Sequence, residues 1–281
     1  PIIRNIQYVF SSNPPYIDVD NPVGTYRRTF TVPRNWQERE VFLHFGSISG
    51  YARIYVNGQQ VGMTKASKTP AEFNVTNYLK EGENKLAAQV FKWTSSSWCE
   101  DQDFFRFSGI YRDVYLYAIP EVHVSDVKIQ TLLDDTFTKA DLVIDTKATK
   151  AGKVKITLSK DGKELQSVEE TLAEESQYVM KVERPELWSA ESPVLYDLLL
   201  EVMDENGQVT EVIPQRVGFR RFEMKDSIMM LNGKRIVFKG VNRHEFSSVS
   251  GRVVSREELI KDLVIMKQNN INAIRTCHYP D

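Results

Sequence analysis

The hydrophobic period of this chain changes once, and that change limits what it can fold into. Up to about residue 217 the apolar residues alternate in short runs between turn signals; beyond Phe219 the alternation stops. Strands with one buried face read with period two, whereas strands covered on both faces read as continuous apolar runs. In the first stretch, residues 26–32, 41–45, 53–56, 59–61, 85–90 and 113–117 each have strand character. Pro33 closes the first, and Asn57-Gly58 stands between the third and fourth. Asn-Gly tolerates the positive φ angles of a type I′ turn, so residues 53–61 predict a hairpin. Many short strands without an intervening helix predict an antiparallel sandwich or jelly roll.

A second strand-rich stretch, from about 121 to 217, is punctuated by Asp161-Gly162 and Asn206-Gly207. Strands at 141–145, 154–159 and 195–203 over roughly 95 residues fit a seven-stranded immunoglobulin-like sandwich. No cysteine pair marks it: Cys99 and Cys277 are the chain's two cysteines. The Lys- and Glu-rich strands around 147–175 read as solvated outer faces.

After Phe219, residues 235–241 form an apolar run, predicting a doubly covered strand. Ser255-Arg256-Glu257-Glu258 is a capping box, in which the serine hydroxyl and the glutamate side chain satisfy each other's backbone amides. Leu259, Leu263 and Met266 follow at helical spacing, widened by Ile260 and Val264. Asn269-Asn270 ends the helix and a strand at 271–275 follows. This is one βαβ unit, which cannot cover its own strands, so further βα units are expected after Asp281. Apolar surface from residues 236–241 and 271–274 should therefore be exposed. Because Pro1 is not an initiator, the chain reads as truncated at both ends. The expected domains are 1–119, 120–219 and 220–281.

With 36 Lys+Arg against 38 Asp+Glu the net charge is −2, which gives no field for nucleic acid or an anionic membrane. No apolar run approaches the ~18 residues of a membrane span, and nothing at the start reads as a signal peptide.

The chemistry-bearing residues gather near strand ends. His244 follows the 236–241 strand, and His278 follows the 271–275 strand. Active sites of βα folds form at the C-terminal ends of strands, so both fall on the functional rim. Arg243 or Arg275 could orient an oxygen-rich ligand through the guanidinium fork. Zinc needs three or four convergent ligands, and adjacent His244 and Glu245 would point apart on a strand. Ser247, Ser248 and Ser250 lack a nucleophile elbow. In the first stretch, Glu100, Asp101 and Asp103 lie among Trp98, Phe104, Phe105 and Phe107. Aromatic faces with carboxylates suit sugars, and adjacent acids suit a cation with oxygen ligands. The plainer alternative is a solvated acidic loop anchored by Trp98 and Phe105. Asn21-Pro22-Val23-Gly24 is, on its own, a turn.

Together these segments resemble glycoside hydrolase family 2, and within it the bacterial β-galactosidases. Asn272-Ala273-Ile274-Arg275-Thr276-Cys277-His278-Tyr279-Pro280 is similar to that family's first signature. Gly240-Val241-Asn242-Arg243-His244-Glu245, Met266-Lys267-Gln268-Asn269-Asn270 and Glu186-Leu187-Trp188-Ser189 also resemble family motifs. Glu100-Asp101-Gln102-Asp103, followed by Arg106-Phe107-Ser108-Gly109-Ile110-Tyr111-Arg112-Asp113, resembles the galactosidase version of the first-domain loop.

The resemblance implies a mainly β chain: a jelly-roll sugar-binding sandwich, an immunoglobulin-like sandwich and the first βαβ unit of a truncated (β/α)₈ barrel. It implies a fragment of a retaining β-galactosidase hydrolysing terminal β-D-galactosides such as lactose. Asn21, Asp103, His244, Arg275 and His278 would bind substrate, with Asp103 also a sodium ligand. The acid/base and nucleophile glutamates, and the main magnesium and sodium ligands of the parent, would lie outside this chain, which is then inactive alone. The parent would be a cytoplasmic homo-oligomer without nucleic-acid or membrane partners. The alternatives are another family-2 glycosidase, such as a β-glucuronidase, or a natural non-catalytic carbohydrate-binding or assembly module.

Overall fold

The structure, a computed structural model, describes residues 10–100 and 108–277. It divides into two compact units: Pro120–Lys239, and a unit made of Pro1–Ile119 with Gly240–Asp281. No helix among the described residues is long and apolar enough to cross a membrane.

The first unit holds β1 (Val23–Thr31), β2 (Glu40–Phe45), β3 (Ile48–Ser49), β4 (Tyr51–Val56), β5 (Gln59–Thr64), β6 (Ala71–Asn74), β7 (Glu83–Phe91), β8 (Gly109–Ile110) and β9 (Val114–Ile119). Two antiparallel sheets, β1-β7-β4-β5 and β6-β2-β9, carry its core. The alternation in the sequence is the cause: Val41, Leu43 and Phe45 of β2 face inward with Ala52, Ile54 and Val56 of β4. Asn57 and Gly58 take φ of 51° and 85°, closing the expected β4–β5 hairpin, and a register shift follows at Ile54/Tyr55. On the outer face of β2, His44 stacks on Tyr115 with ring centroids 4.4 Å apart and shares a 2.8 Å contact with Glu72.

The second unit contains β10 (Val124–Leu133), β11 (Lys139–Ala148), β12 (Gly152–Lys160), β13 (Lys163–Leu172), β14 (Glu175–Glu183), β15 (Tyr196–Met203) and β16 (Val209–Val217). They form sheets β10-β11-β14 and β13-β12-β15-β16, the seven strands of the expected sandwich. Between them lies an apolar core that includes Leu142, Ile144, Ile156, Leu172, Leu198, Leu200 and Phe219. The outer faces carry exposed pairs such as Lys147–Glu175 and Lys153–Glu169, contacts worth little in water. A three-stranded meander follows in the same unit: β17 (Phe222–Lys225), β18 (Ile228–Leu231) and β19 (Lys234–Arg235).

The meander corrects the expected 235–241 strand. Lys234 and Arg235 pair with β18, and the Ile236 amide donates to the Met229 carbonyl at 2.9 Å. The backbone is therefore engaged sideways before it can start a parallel ladder. That ladder begins only at β20 (Gly240–Arg243), which pairs in parallel with β21 (Ala273–Thr276). Between them α1 (Arg256–Gln268) starts from the expected capping box: Ser255 Oγ accepts from the Glu258 amide while the Glu258 carboxylate accepts from the Ser255 amide. None of the residues of α1 is buried, and Ile260, Leu263, Val264 and Ile265 are exposed, as are Val237, Phe238 and Ile274.

Candidate functional site

The parallel register sets the rim. Asn242 lies opposite Arg275, and Arg243 opposite Thr276. The Cys277 amide donates to the Arg243 carbonyl at 3.0 Å, so His244 and Cys277 leave the two strand ends side by side. His244 is exposed. Arg275 is exposed too, with Nη1 3.4 Å from Asn242 Oδ1 and 3.6 Å from Cys277 Sγ. Its guanidinium is steered along the rim by neighbouring side chains and keeps further donors for an oxygen-rich ligand.

Arg243 has a different task. Its side chain is 12% exposed, and Nε and Nη2 lie 2.9 and 2.8 Å from Asp262 Oδ2, binding the end of β20 to the middle of α1. Glu245 lies 3.6 Å from Arg243 Nη1. Of the acids near the rim, Asp262 and Glu245 therefore neutralise Arg243.

Glu258 is committed as well. Besides capping the helix, Oε1 accepts from Ser247 Oγ at 2.8 Å, and this hydroxyl hydrogen bond, with the Ser255 amide, holds its carboxyl below the usual glutamate range. Ser247 is buried, and its Oγ also accepts from the amides of Val249 and Ser250 at 3.2 and 3.3 Å. Its backbone exchanges hydrogen bonds with Gly251 at 2.7 and 3.0 Å. The segment after His244 is thus a closed loop pinned to the start of α1. Ser247 and Ser250, two of the serines noted in the sequence, are its fasteners.

Asn21 precedes β1 and works on backbone. Its Oδ1 accepts from the Trp93 amide and its Nδ2 donates to the Trp93 carbonyl, both at 2.9 Å. Phe10 packs edge-on to Trp93 at 5.3 Å and against Trp98 at 4.9 Å. The Trp98 indole N–H donates to the Tyr16 carbonyl at 3.1 Å. Asn21 so fixes an aromatic wall, leaving one amide hydrogen for any ligand.

Glu100, at the near end of the acidic loop, is held by the Ser67 amide at 3.1 Å and the Ser67 hydroxyl at 2.6 Å. Asp103 and His278, the other expected sugar-site residues, lie outside the described residues, and with Asp103 the expected sodium ligand. Among the described residues no group of three or more His, Cys, Asp or Glu could hold a metal ion. Sequence reasoning missed Ser67 and Arg252, which join distant segments; an arginine in a serine-rich loop just ahead of a capping box was the only local signal.

Residues 1–120 match the sugar binding domain of glycosyl hydrolases family 2, residues 122–220 match a further family-2 domain, and residues 222–281 match the family's TIM barrel domain. A beta-galactosidase of Halalkalibacterium halodurans is 46% identical over 275 residues, covering 95% of this chain and 27% of that protein. One of Streptococcus thermophilus is 44% identical over 291 residues, covering 100% of this chain and 28% of that protein. The chain therefore spans less than a third of the length of these relatives. Among solved structures, a Bacteroides uniformis beta-glucuronidase superposes with a TM-score of 0.79 at 28% identity, over 94% of this chain and 34% of that one. A Bifidobacterium dentium beta-glucuronidase does so with a TM-score of 0.81 at 25% identity, over 91% and 49%.

Proposed function

Because this chain belongs to glycosyl hydrolases family 2, we propose that it is the N-terminal portion of a retaining β-galactosidase acting on terminal β-D-galactosides such as lactose. The observation that carries the reading is the rim, where His244 and Cys277 leave adjacent parallel strands in a chain 46% identical to a protein named beta-galactosidase. In this reading residues 1–119 are the sugar-binding jelly roll, 120–219 the immunoglobulin-like sandwich and 220–281 the start of the barrel.

The roles follow from chemistry. His244 and His278 donate hydrogen bonds to galactose oxygens as charge develops at the sugar, Arg275 orients them, and Asp103 accepts from galactose hydroxyls and ligates a sodium ion. Asn21 supports the same site through Trp93. A retaining glycosidase needs two carboxyl groups roughly 5–5.5 Å apart. Glu245, Glu258 and Asp262 are each tied to Arg243 or Ser247, which supports placing the catalytic pair beyond Asp281 and leaves these 281 residues inactive alone.

The test is to read the gene past the Asp281 codon and to assay both products on nitrophenyl β-D-galactoside. Turnover by the longer product alone is the expected result, and turnover by the 281 residues would sink the claim of inactivity. The likeness to solved β-glucuronidases favours a second reading, so nitrophenyl β-D-glucuronide is assayed in parallel. Preference for the glucuronide would replace the galactosidase assignment.

A further inference from the structure

The loop that leaves His244 carries Arg252, a buried arginine whose guanidinium lies 4.6 Å from the centroid of the Tyr111 ring. Its Nη2 is 3.4 Å from Tyr111 Oη. Tyr111 Oη donates onward to the Ser67 carbonyl at 2.7 Å, and the buried Ser47 hydroxyl meets the same carbonyl at 2.5 Å. Ser67 in turn donates both its amide and its hydroxyl to Glu100, at 3.1 and 2.6 Å, while its Oγ accepts from the Gly50 amide at 3.2 Å. Contacts therefore run from the guanidinium through a phenol and a serine to a carboxylate, with Ser47 Oγ also 2.6 Å from the Tyr111 hydroxyl. The connection is mechanical: Ser67 takes the phenol on its carbonyl and passes its amide and hydroxyl to Glu100, so a cation at one end is tied through one residue to a carboxylate at the other.

We propose that Arg252 is a positioning residue that sets the His244 loop and the Glu100 turn at fixed places relative to each other. Its loop end is stiff, because Ser247 ties that loop to Gly251, Val249, Ser250 and Glu258. The turn end is stiff too, because the amides of Cys99 and Glu100 both donate to the Ser96 carbonyl at 2.9 Å. Each end is held by short local bonds, and the relay through Tyr111 joins them, so that loss of Arg252 leaves each end less protected. A burial this polar contributes geometry more than stability: an apolar residue at 252 would fill the space without aligning anything. The role in catalysis rests on the galactosidase reading above; the coupling itself does not.

Amide hydrogen exchange of the 281-residue chain tests the coupling directly. R252A is expected to speed exchange at the Val249, Ser250 and Gly251 amides and at the Cys99 and Glu100 amides, each by about tenfold or more, with β2, β4 and β11 unchanged. R252K, which returns a cation to the ring, restores most of the protection. Y111F keeps the ring face but removes the hydroxyl, so it opens the Cys99–Glu100 turn alone. Unchanged exchange in R252A, loss confined to its own loop, or loss spreading to the strand cores overturns the proposal. In the full gene product, R252A should lower kcat/KM for nitrophenyl galactoside by about tenfold or more, chiefly through kcat, with R252K again restoring it. If wild type turns over no galactoside, the functional reading falls while the exchange experiment still decides the coupling.

Discussion

Arg243 presents two nitrogens to a single oxygen of Asp262, Nε at 2.9 Å and Nη2 at 2.8 Å. The contact links the last residue of β20 to α1, an element that buries no side chain of its own. Helical stability in proteins comes mostly from packing an apolar face, so α1 depends on its tethers more than most helices do. D262A leaves a guanidinium at 12% exposure without its main acceptor and should cost about 1–3 kcal/mol locally. Exchange of the α1 amides reads this, and protection equal to wild type would show that the tether does not hold the helix.

The Glu258 carboxyl is depressed in the folded chain, first by the Ser247 hydroxyl and then by the Ser255 amide. A depressed acid stabilises above its unfolded pKa, and the contribution is lost as pH falls through the folded value. The gap in α1 protection between wild type and E258Q should be full near ~pH 7 and close on acidification through the carboxylate range. S247A should raise the pH at which that gap closes. A gap that stays constant down to the lowest pH would refute the linkage.

Asn21 replaces a strand partner for Trp93. N21A removes both hydrogen bonds and should destabilise the first unit by about 1–2 kcal/mol, while N21D keeps the acceptor for the Trp93 amide and falls between. Tryptophan fluorescence during urea unfolding follows the change. Equal midpoints for all three proteins would leave Asn21 without this role.

Glycine at 50 is required twice over, by φ of +102° and by space, since a Cβ there would lie 2.1 Å from the Phe91 carbonyl oxygen. Gly162 shares a positive φ, +76°, with nothing within 4 Å. G162A should cost about 1–2 kcal/mol from backbone strain alone, and G50A clearly more. Calorimetry orders them, and the reverse order would contradict the packing at β4 and β7.

Truncating the immunoglobulin-like core is the largest single loss foreseen. Leu142 is fully buried between the two sheets, and L142A should cost about 2–5 kcal/mol. Urea unfolding of the second unit measures it; a loss under about 1 kcal/mol would mean that the core closes over the gap.

Local rules reached much of this architecture. The Asn57-Gly58 hairpin, the Ser255–Glu258 capping box and the seven-strand count follow from neighbouring residues whose preferences agree with the fold. The 235–241 run misled because apolar composition does not say which neighbour a strand will pair with, and β18 reached Lys234 and Arg235 first. Within the candidate site, the placement of His244 just past the end of a parallel strand was legible. It was not legible where Asn21 grips Trp93 across 72 positions or Arg252 reaches Tyr111 across 141. No periodicity records contacts at such separations.

The order of the chain adds a constraint on assembly. The unit containing Arg252 and Tyr111 is built from two pieces of sequence, with Pro120–Lys239 between them. During synthesis the jelly-roll portion leaves the ribosome first and must wait for its second piece. If the intervening roughly 120 residues are still a coil, closing that contact means closing a long loop, with an entropic penalty that grows as the logarithm of its length. Once the middle unit has folded, the coil becomes a compact body and most of that penalty has already been met. A lesion deep in the middle sandwich, such as L142A, should therefore delay closure of a joint that belongs to the other unit.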